Sequence, residues 1–148
     1  MEKSELLSRL APCGLDCGRC IRFKGGEIAL AAETLKGRLA GFGNAAPRFA
    51  SMSPALNGYK QFEEVVDMFI AADCPGCRVE PSKCYPACAA KTCHKEKKAD
   101  FCGECAEFPC KRNEYPEMFA RIWEINGKKI KSMGAMGYFE EQLKKPRY

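Results

Sequence analysis

Eleven cysteines dominate the chemistry open to this chain of 148 residues. Two cysteines separated by two residues can wrap a tight turn, so that both sulfurs reach one metal ion. A structural zinc ion needs four such ligands, usually from two turns that the fold brings together. The sequence therefore predicts metal binding by all the cysteines, which form four groups along the chain: Cys13, Cys17 and Cys20; Cys74 and Cys77; Cys84, Cys88 and Cys93; Cys102, Cys105 and Cys110.

The spacing leaves the identity of the metal open. Zinc fits paired thiolate turns such as 74–77, where a glycine lets backbone N–H groups face the sulfurs. Iron–sulfur clusters also take cysteine ligands, although the spacing of the common bacterial ferredoxin run is absent. The run Cys13, Cys17, Cys20 matches radical enzymes that bind S-adenosylmethionine, but those enzymes need a longer chain with alternating strands. We expect two or more zinc ions, with an iron–sulfur cluster as the alternative.

Two ways of sharing the ligands are open. The close pairs 17/20, 74/77, 84/88 and 102/105 would complete two four-sulfur sites, with the other three cysteines as extra ligands or structural thiols. If Cys13 and Cys110 are primary ligands, the cysteines act as triplets and a third site would follow. His94, the single histidine, is expected at the surface and not as a twelfth ligand.

Composition and charge indicate the cellular compartment and the kind of partner to expect. The chain shows no signal-peptide run and no stretch near the roughly 18 apolar residues of a membrane helix, so we expect a cytoplasmic protein with reduced thiols and no membrane contact. The net charge is +5, and residues 111–148 hold nine Lys and Arg against five Asp and Glu. Because those acidic residues are interspersed with the cations, we expect a protein or small-molecule partner and not nucleic acid.

The apolar spacing predicts a mainly α fold without strands. Between 73 and 110 the helical periodicity disappears, so metal binding must supply the folding free energy of that segment. We expect one domain over 1–148: a small helical scaffold with an irregular, metal-stapled cysteine-rich segment, joined by Cys13, Cys17 and Cys20. The predicted apolar helix faces are Leu6, Leu7 and Leu10; Ile28, Ala31, Ala32, Leu35 and Leu39; Phe62, Val65, Val66 and Phe69; Tyr115, Met118, Phe119, Ile122 and Ile125; and Phe139 and Leu143.

The whole chain resembles an uncharacterised prokaryotic family, domain of unknown function 3795. The resemblance rests on the motifs at 11–20 (APCGLDCGRC), 74–77 (CPGC) and 101–110 (FCGECAEFPC). All eleven cysteines match positions where similar sequences carry cysteine. Three residues separate Cys84 from Cys88 in this chain, whereas two residues separate the corresponding cysteines in similar sequences. The resemblance implies metal binding and leaves the function open.

No acid–base or nucleophile arrangement is visible apart from the thiols, and a cysteine–histidine pair would have to use His94. The carboxylates near the sulfurs are interpreted as capping or solvent-facing groups. We therefore expect a zinc-binding adaptor module of unknown cellular role, and the residues favour no particular enzymatic activity. The alternative is an iron–sulfur or thiol-based redox protein that carries electrons or senses oxidants.

Overall fold

In a computed structural model, which describes all 148 residues, the chain is mainly helical and has no β-strand. Leu10 and Asp16 form one isolated antiparallel bridge. The predicted mainly α fold is confirmed, whereas the stapling of the cysteine-rich segment by metal stays a prediction. The helices are α1 (Lys3–Arg9), α2 (Glu27–Arg38), α3 (Ala46–Phe49), α4 (Tyr59–Ile70), α5 (Ala90–Glu96) and α6 (Glu117–Leu143), with short 3-10 helices at Phe42–Asn44, Pro54–Gly58 and Cys102–Glu104.

The helices belong to two compact units. Unit 1 comprises residues 1–20 and 74–148, and it holds α1, α5, α6 and all eleven cysteines. Unit 2 comprises residues 21–73 and holds α2, α3 and α4. The cysteine-rich segment and the N-terminal cysteine run thus lie in the same unit.

Unit 1 has two clusters of buried side chains. One is conventional and joins α1 to α6 through Leu6, Leu10, Phe101, Ile130, Tyr138 and Phe139. The Tyr138 hydroxyl donates to the Gly14 carbonyl oxygen at 2.8 Å, which satisfies the buried phenol. The other cluster contains sulfur as a main component: Ala11, Cys13, Cys77, Ala90, Cys102 and Trp123.

Helix α6 buries a different face from the predicted one. Met118, Ile122 and Ile125 are exposed, whereas Trp123 and Ile130 are buried. The reason is a close backbone contact: a Cβ at Gly103 would lie 2.2 Å from the Gly127 carbonyl oxygen. Because neither residue has a side chain, the turn at 102–104 packs directly on α6 and selects its buried face. The helix is interrupted at Gly134, whose φ of 76° is left-handed.

Unit 2 is built on α2 packed against α4. Its buried residues are few and mostly small: Ala29, Ala32, Ala46, Tyr59 and Val66. The helices α2 and α4 were predicted, but the expected faces are only partly right because Leu35, Phe62 and Val65 are exposed. A pair of short helices buries only the narrow stripe where they meet. A salt bridge from Lys36 to Asp67 joins them at the rim.

Candidate metal centre

Eight of the eleven cysteines line two cavities in unit 1. The first thiol group is Cys13, Cys77, Cys84 and Cys88. The second thiol group is Cys93, Cys102, Cys105 and Cys110. Trp123, only 8% exposed, lies in the wall of both cavities. The two groups are therefore neighbours across one indole ring.

The second thiol group is positioned by a helix and a turn. Cys93 lies on α5. The N–H of Cys102 donates to the Pro12 carbonyl oxygen at 2.8 Å, and the N–H of Cys105 donates to the Cys102 carbonyl oxygen at 3.1 Å. The Phe108 ring packs edge-on against Trp123, with 5.0 Å between the ring centroids. This set of contacts holds the sulfur-bearing turn against α6.

Burial is the main influence on the pKa values of the second thiol group. It raises the pKa of Cys102 to about 11, and the indole N–H of Trp123 near that sulfur partly opposes the shift without reaching hydrogen-bond geometry. Burial also raises the pKa of Cys93, and the charges of Cys110 and Cys105 act in the same direction. As neutral thiols these groups need no countercharge, but as thiolates in one buried cavity they would need positive charge among them. Lys97, which also lines the cavity, is paired with Glu107.

Three residues that line the second cavity carry buried N–H groups with no acceptor. The atoms are Nε2 of His94, Nδ2 of Asn113 and Nε1 of Trp123. Buried polar groups are nearly always hydrogen-bonded, so three orphans in residues of one cavity wall require an explanation. His94 was predicted at the surface, but it is half-buried beside the sulfurs.

The first thiol group is organised around Cys77. Its sulfur lies near those of Cys17 and Cys84, and the interaction with Cys17 raises the pKa of Cys77 to about 11, with burial as a further cause. The Ser82 hydroxyl donates to the Cys77 sulfur at 3.7 Å. The Tyr115 hydroxyl and the Cys88 sulfur are 2.8 Å apart. Burial raises the pKa of the Cys13 thiol far above its usual range.

Three cysteines lie outside both cavities. Cys17 contacts Cys77, and the N–H of Lys83 donates to the Cys74 sulfur at 3.5 Å. The N–H of Cys20 donates to the Cys17 carbonyl oxygen at 2.9 Å, and its side chain is half-buried. The pairs 84/88 and 102/105 each line one cavity, and Cys110 lies with 102/105 as in the predicted triplet. Cys74 lies outside the cavity that Cys77 lines, and how the cysteines share metal stays a prediction.

No set of three or more cysteine, histidine or carboxylate side chains converges on one point as the ligands of a single ion would. In a tetrahedral zinc site, four sulfurs stand at about 2.3 Å from one atom. The thiols here surround cavities instead. The arrangement does not fit a preformed mononuclear zinc site, and metal binding by the cysteines stays a prediction.

The carboxylates near the sulfurs have structural partners. Asp16, which is buried, accepts a hydrogen bond from Arg19 at 2.6 Å. Glu104 accepts from the Phe101 N–H at 3.2 Å and so caps the turn that carries Cys102. Glu107 pairs with Lys97. Each of the three carboxylates thus has a structural partner, and the Oδ1 atom of Asp16 is buried without one.

Comparison with known proteins supplies a family. A family model described as "Protein of unknown function (DUF3795)" matches residues 9–115, a span that includes all eleven cysteines. The resemblance noted from the motifs is confirmed. Neither the curated proteins nor the solved structures contain a match. None of the helices in the structure has the length and apolar character needed to cross a membrane.

Proposed function

The chain belongs to the DUF3795 family of proteins of unknown function, and we propose that it is a metal–thiolate protein with two adjacent centres. The first thiol group holds one centre and the second thiol group holds the other. The single observation that supports this proposal is the gathering of eight cysteines around two cavities that share Trp123 as a wall. Four thiols around each of two neighbouring cavities is the number of ligands that a metal–thiolate centre requires.

The type and surroundings of the donor groups support a cation in each cavity. The walls of the first cavity are otherwise aromatic or aliphatic, with Leu15, Tyr85, Tyr115, Phe119, Ile122 and Trp123. Metal-bound thiols lose their protons outright because the ion supplies the compensating charge. The binding free energy then becomes folding free energy for the segment that carries the ligands. This role explains how residues 74–110 fold with only two buried apolar side chains other than cysteine, Ala90 and Phe101.

A zinc-stabilised adaptor is the second candidate, and it is favoured by the contacts of the turn at 74–77. The Lys83 N–H donates to the Cys74 sulfur, and Cys17 contacts Cys77, so the turns at 17–20 and 74–77 meet as two zinc-binding turns would. The exposed apolar residues Met118 and Ile125 on α6 would offer a partner protein a surface. In this version Cys17, Cys20, Cys74 and Cys77 share one zinc ion.

Metal analysis of three variants tests the proposal. We expect Cys84→Ser/Cys88→Ser and Cys102→Ser/Cys105→Ser each to lose one of two centres, because each removes two ligands from one cavity. Cys20→Ser is the matched variant outside both cavities, and it should retain both centres. A loss of zinc from Cys20→Ser would favour the adaptor candidate. Retention of every metal by both double variants would refute the two-centre proposal.

A further inference from the structure

We infer that the second thiol group holds an iron–sulfur cluster, and that His94, Asn113 and Trp123 donate hydrogen bonds to sulfur atoms of that cluster. The inference rests on the proposed function, because it specifies the group that one of the two centres contains. It is carried by the three unpartnered N–H groups among the residues that line this cavity.

The structure identifies which atoms of His94 and Asn113 are the free donors. Arg78 Nη1 lies 3.4 Å from Nδ1 of His94. Since a guanidinium only donates, Nδ1 accepts, and the proton of the neutral ring is on Nε2. Asn113 Oδ1 accepts from the Ala90 N–H at 3.3 Å, which identifies Nδ2 as the free donor. An indole nitrogen only donates, so all three orphans are donors.

Three donors call for a group with several acceptor atoms. A cluster carries inorganic sulfides on its faces in addition to the four cysteine sulfurs, and hydrogen bonds to these sulfurs are a usual part of its surroundings. A single zinc ion would offer these donors only the four thiolate sulfurs, which it draws inward onto one atom and away from the wall. The donors come from α5, from the segment between α5 and α6, and from α6 itself, so they belong to different parts of the wall.

The first thiol group lacks this feature. The Tyr115 hydroxyl already meets Cys88, and the Tyr85 hydroxyl donates to the Glu114 carbonyl oxygen at 3.1 Å. Of the residues that line the first cavity, only the shared Trp123 has an orphaned donor. The inference is therefore confined to the second group.

The first test is composition. The full chain with Cys84→Ser/Cys88→Ser, purified without oxygen, should be brown and contain iron and acid-labile sulfide in equal amounts. In the wild-type background, Cys102→Ser/Cys105→Ser should remove that sulfide. One zinc ion and no sulfide would overturn the inference and leave the two-centre proposal standing. No metal at all, in this variant and in the wild type, would overturn both.

The second test is the reduction potential of the second centre, measured by titration with dithionite. A hydrogen bond to a cluster sulfur stabilises the reduced, more negative state. Trp123→Phe should therefore lower the potential, and Asn113→Asp, which keeps the acceptor for Ala90, should lower it further. Met118→Leu on the exposed side of α6 is the control and should leave the potential unchanged. An intact cluster with an unchanged potential in both donor variants would overturn the role of these residues.

Discussion

Units 1 and 2 bury their interiors by different means. Unit 2 has no cysteine and relies on small contacts between α2 and α4, around Ala32, Tyr59 and Val66. Unit 1 has one conventional cluster and one in which cysteine sulfurs take the place of aliphatic side chains. Under the proposal of two metal–thiolate centres, unit 1 relies on metal binding in addition to packing, whereas unit 2 has no cysteine to bind metal.

Removal of metal should have the largest effect and should separate the two units. A chelator, or acid near pH 5, should release the metal, because thiolates must be deprotonated to bind it. We expect residues 73–110 to lose protection from hydrogen exchange first, while α2 and α4 keep theirs. Equal protection of residues 73–110 with and without chelator would show that packing holds the segment.

Two glycine-to-alanine substitutions, one in each unit, compare how tightly the backbone of the two units is packed. Gly103→Ala should destabilise unit 1 by about 3 kcal/mol, because its Cβ would overlap the Gly127 carbonyl oxygen. Gly37→Ala in α2 has open space around the new Cβ and should stabilise unit 2 by about 0.5–1 kcal/mol. Thermal unfolding of both variants measures this, and a loss of stability in Gly37→Ala would contradict it.

The conventional cluster of unit 1 can be tested by itself. Tyr138→Phe removes the donor to the Gly14 carbonyl oxygen and should cost about 1–2 kcal/mol, since that oxygen stays buried. Tyr85→Phe is the matched control, because its hydroxyl bond is exposed and should contribute less. Denaturant unfolding of the metal-loaded protein compares the two. Equal effects would mean that the buried hydrogen bond contributes no more than the exposed one.

The smallest expected effect lies at the end of α6. Hydrogen bonds from Lys129 and Lys145 hold the pKa of Glu141 near 2, below its ordinary value of 4.5. A depressed carboxyl pKa adds stability above the unfolded value, and this stability is lost as pH falls from about 4.5 towards 2. Glu141→Gln should therefore lower the melting temperature slightly at neutral pH and not at pH 2. Glu140→Gln, at the adjacent exposed position of α6, is the matched control.

Much of the helical framework could be predicted from the sequence. The helices α2 and α4 follow apolar spacing, and the start of α6 was visible in the same way. The buried face of α6 could not be predicted, because a contact between Gly103 and Gly127 decides it and no periodicity shows that contact. Helix α5 was missed since its sequence, AKTCHKE, has almost no apolar pattern.

The candidate site was predictable in residue type but not in grouping. The number and spacing of the eleven cysteines predict metal binding, and that prediction is not tested by the fold. Their assignment to two cavities depends on which turns the fold brings together, as when Cys77 lines the same cavity as Cys13, which lies 64 positions earlier in the chain. Nothing in the sequence indicates that the side-chain N–H groups of Asn113 and of Trp123, the single tryptophan, lack an acceptor in the fold.

The central claim is that unit 1 contains two metal–thiolate centres. Native mass spectrometry of the wild-type chain, purified without oxygen and without a chelating column, tests it most directly. The account predicts a mass increase that corresponds to two centres per chain and that disappears under denaturing, acidic conditions. A folded chain that carries a single centre, or none, would contradict it.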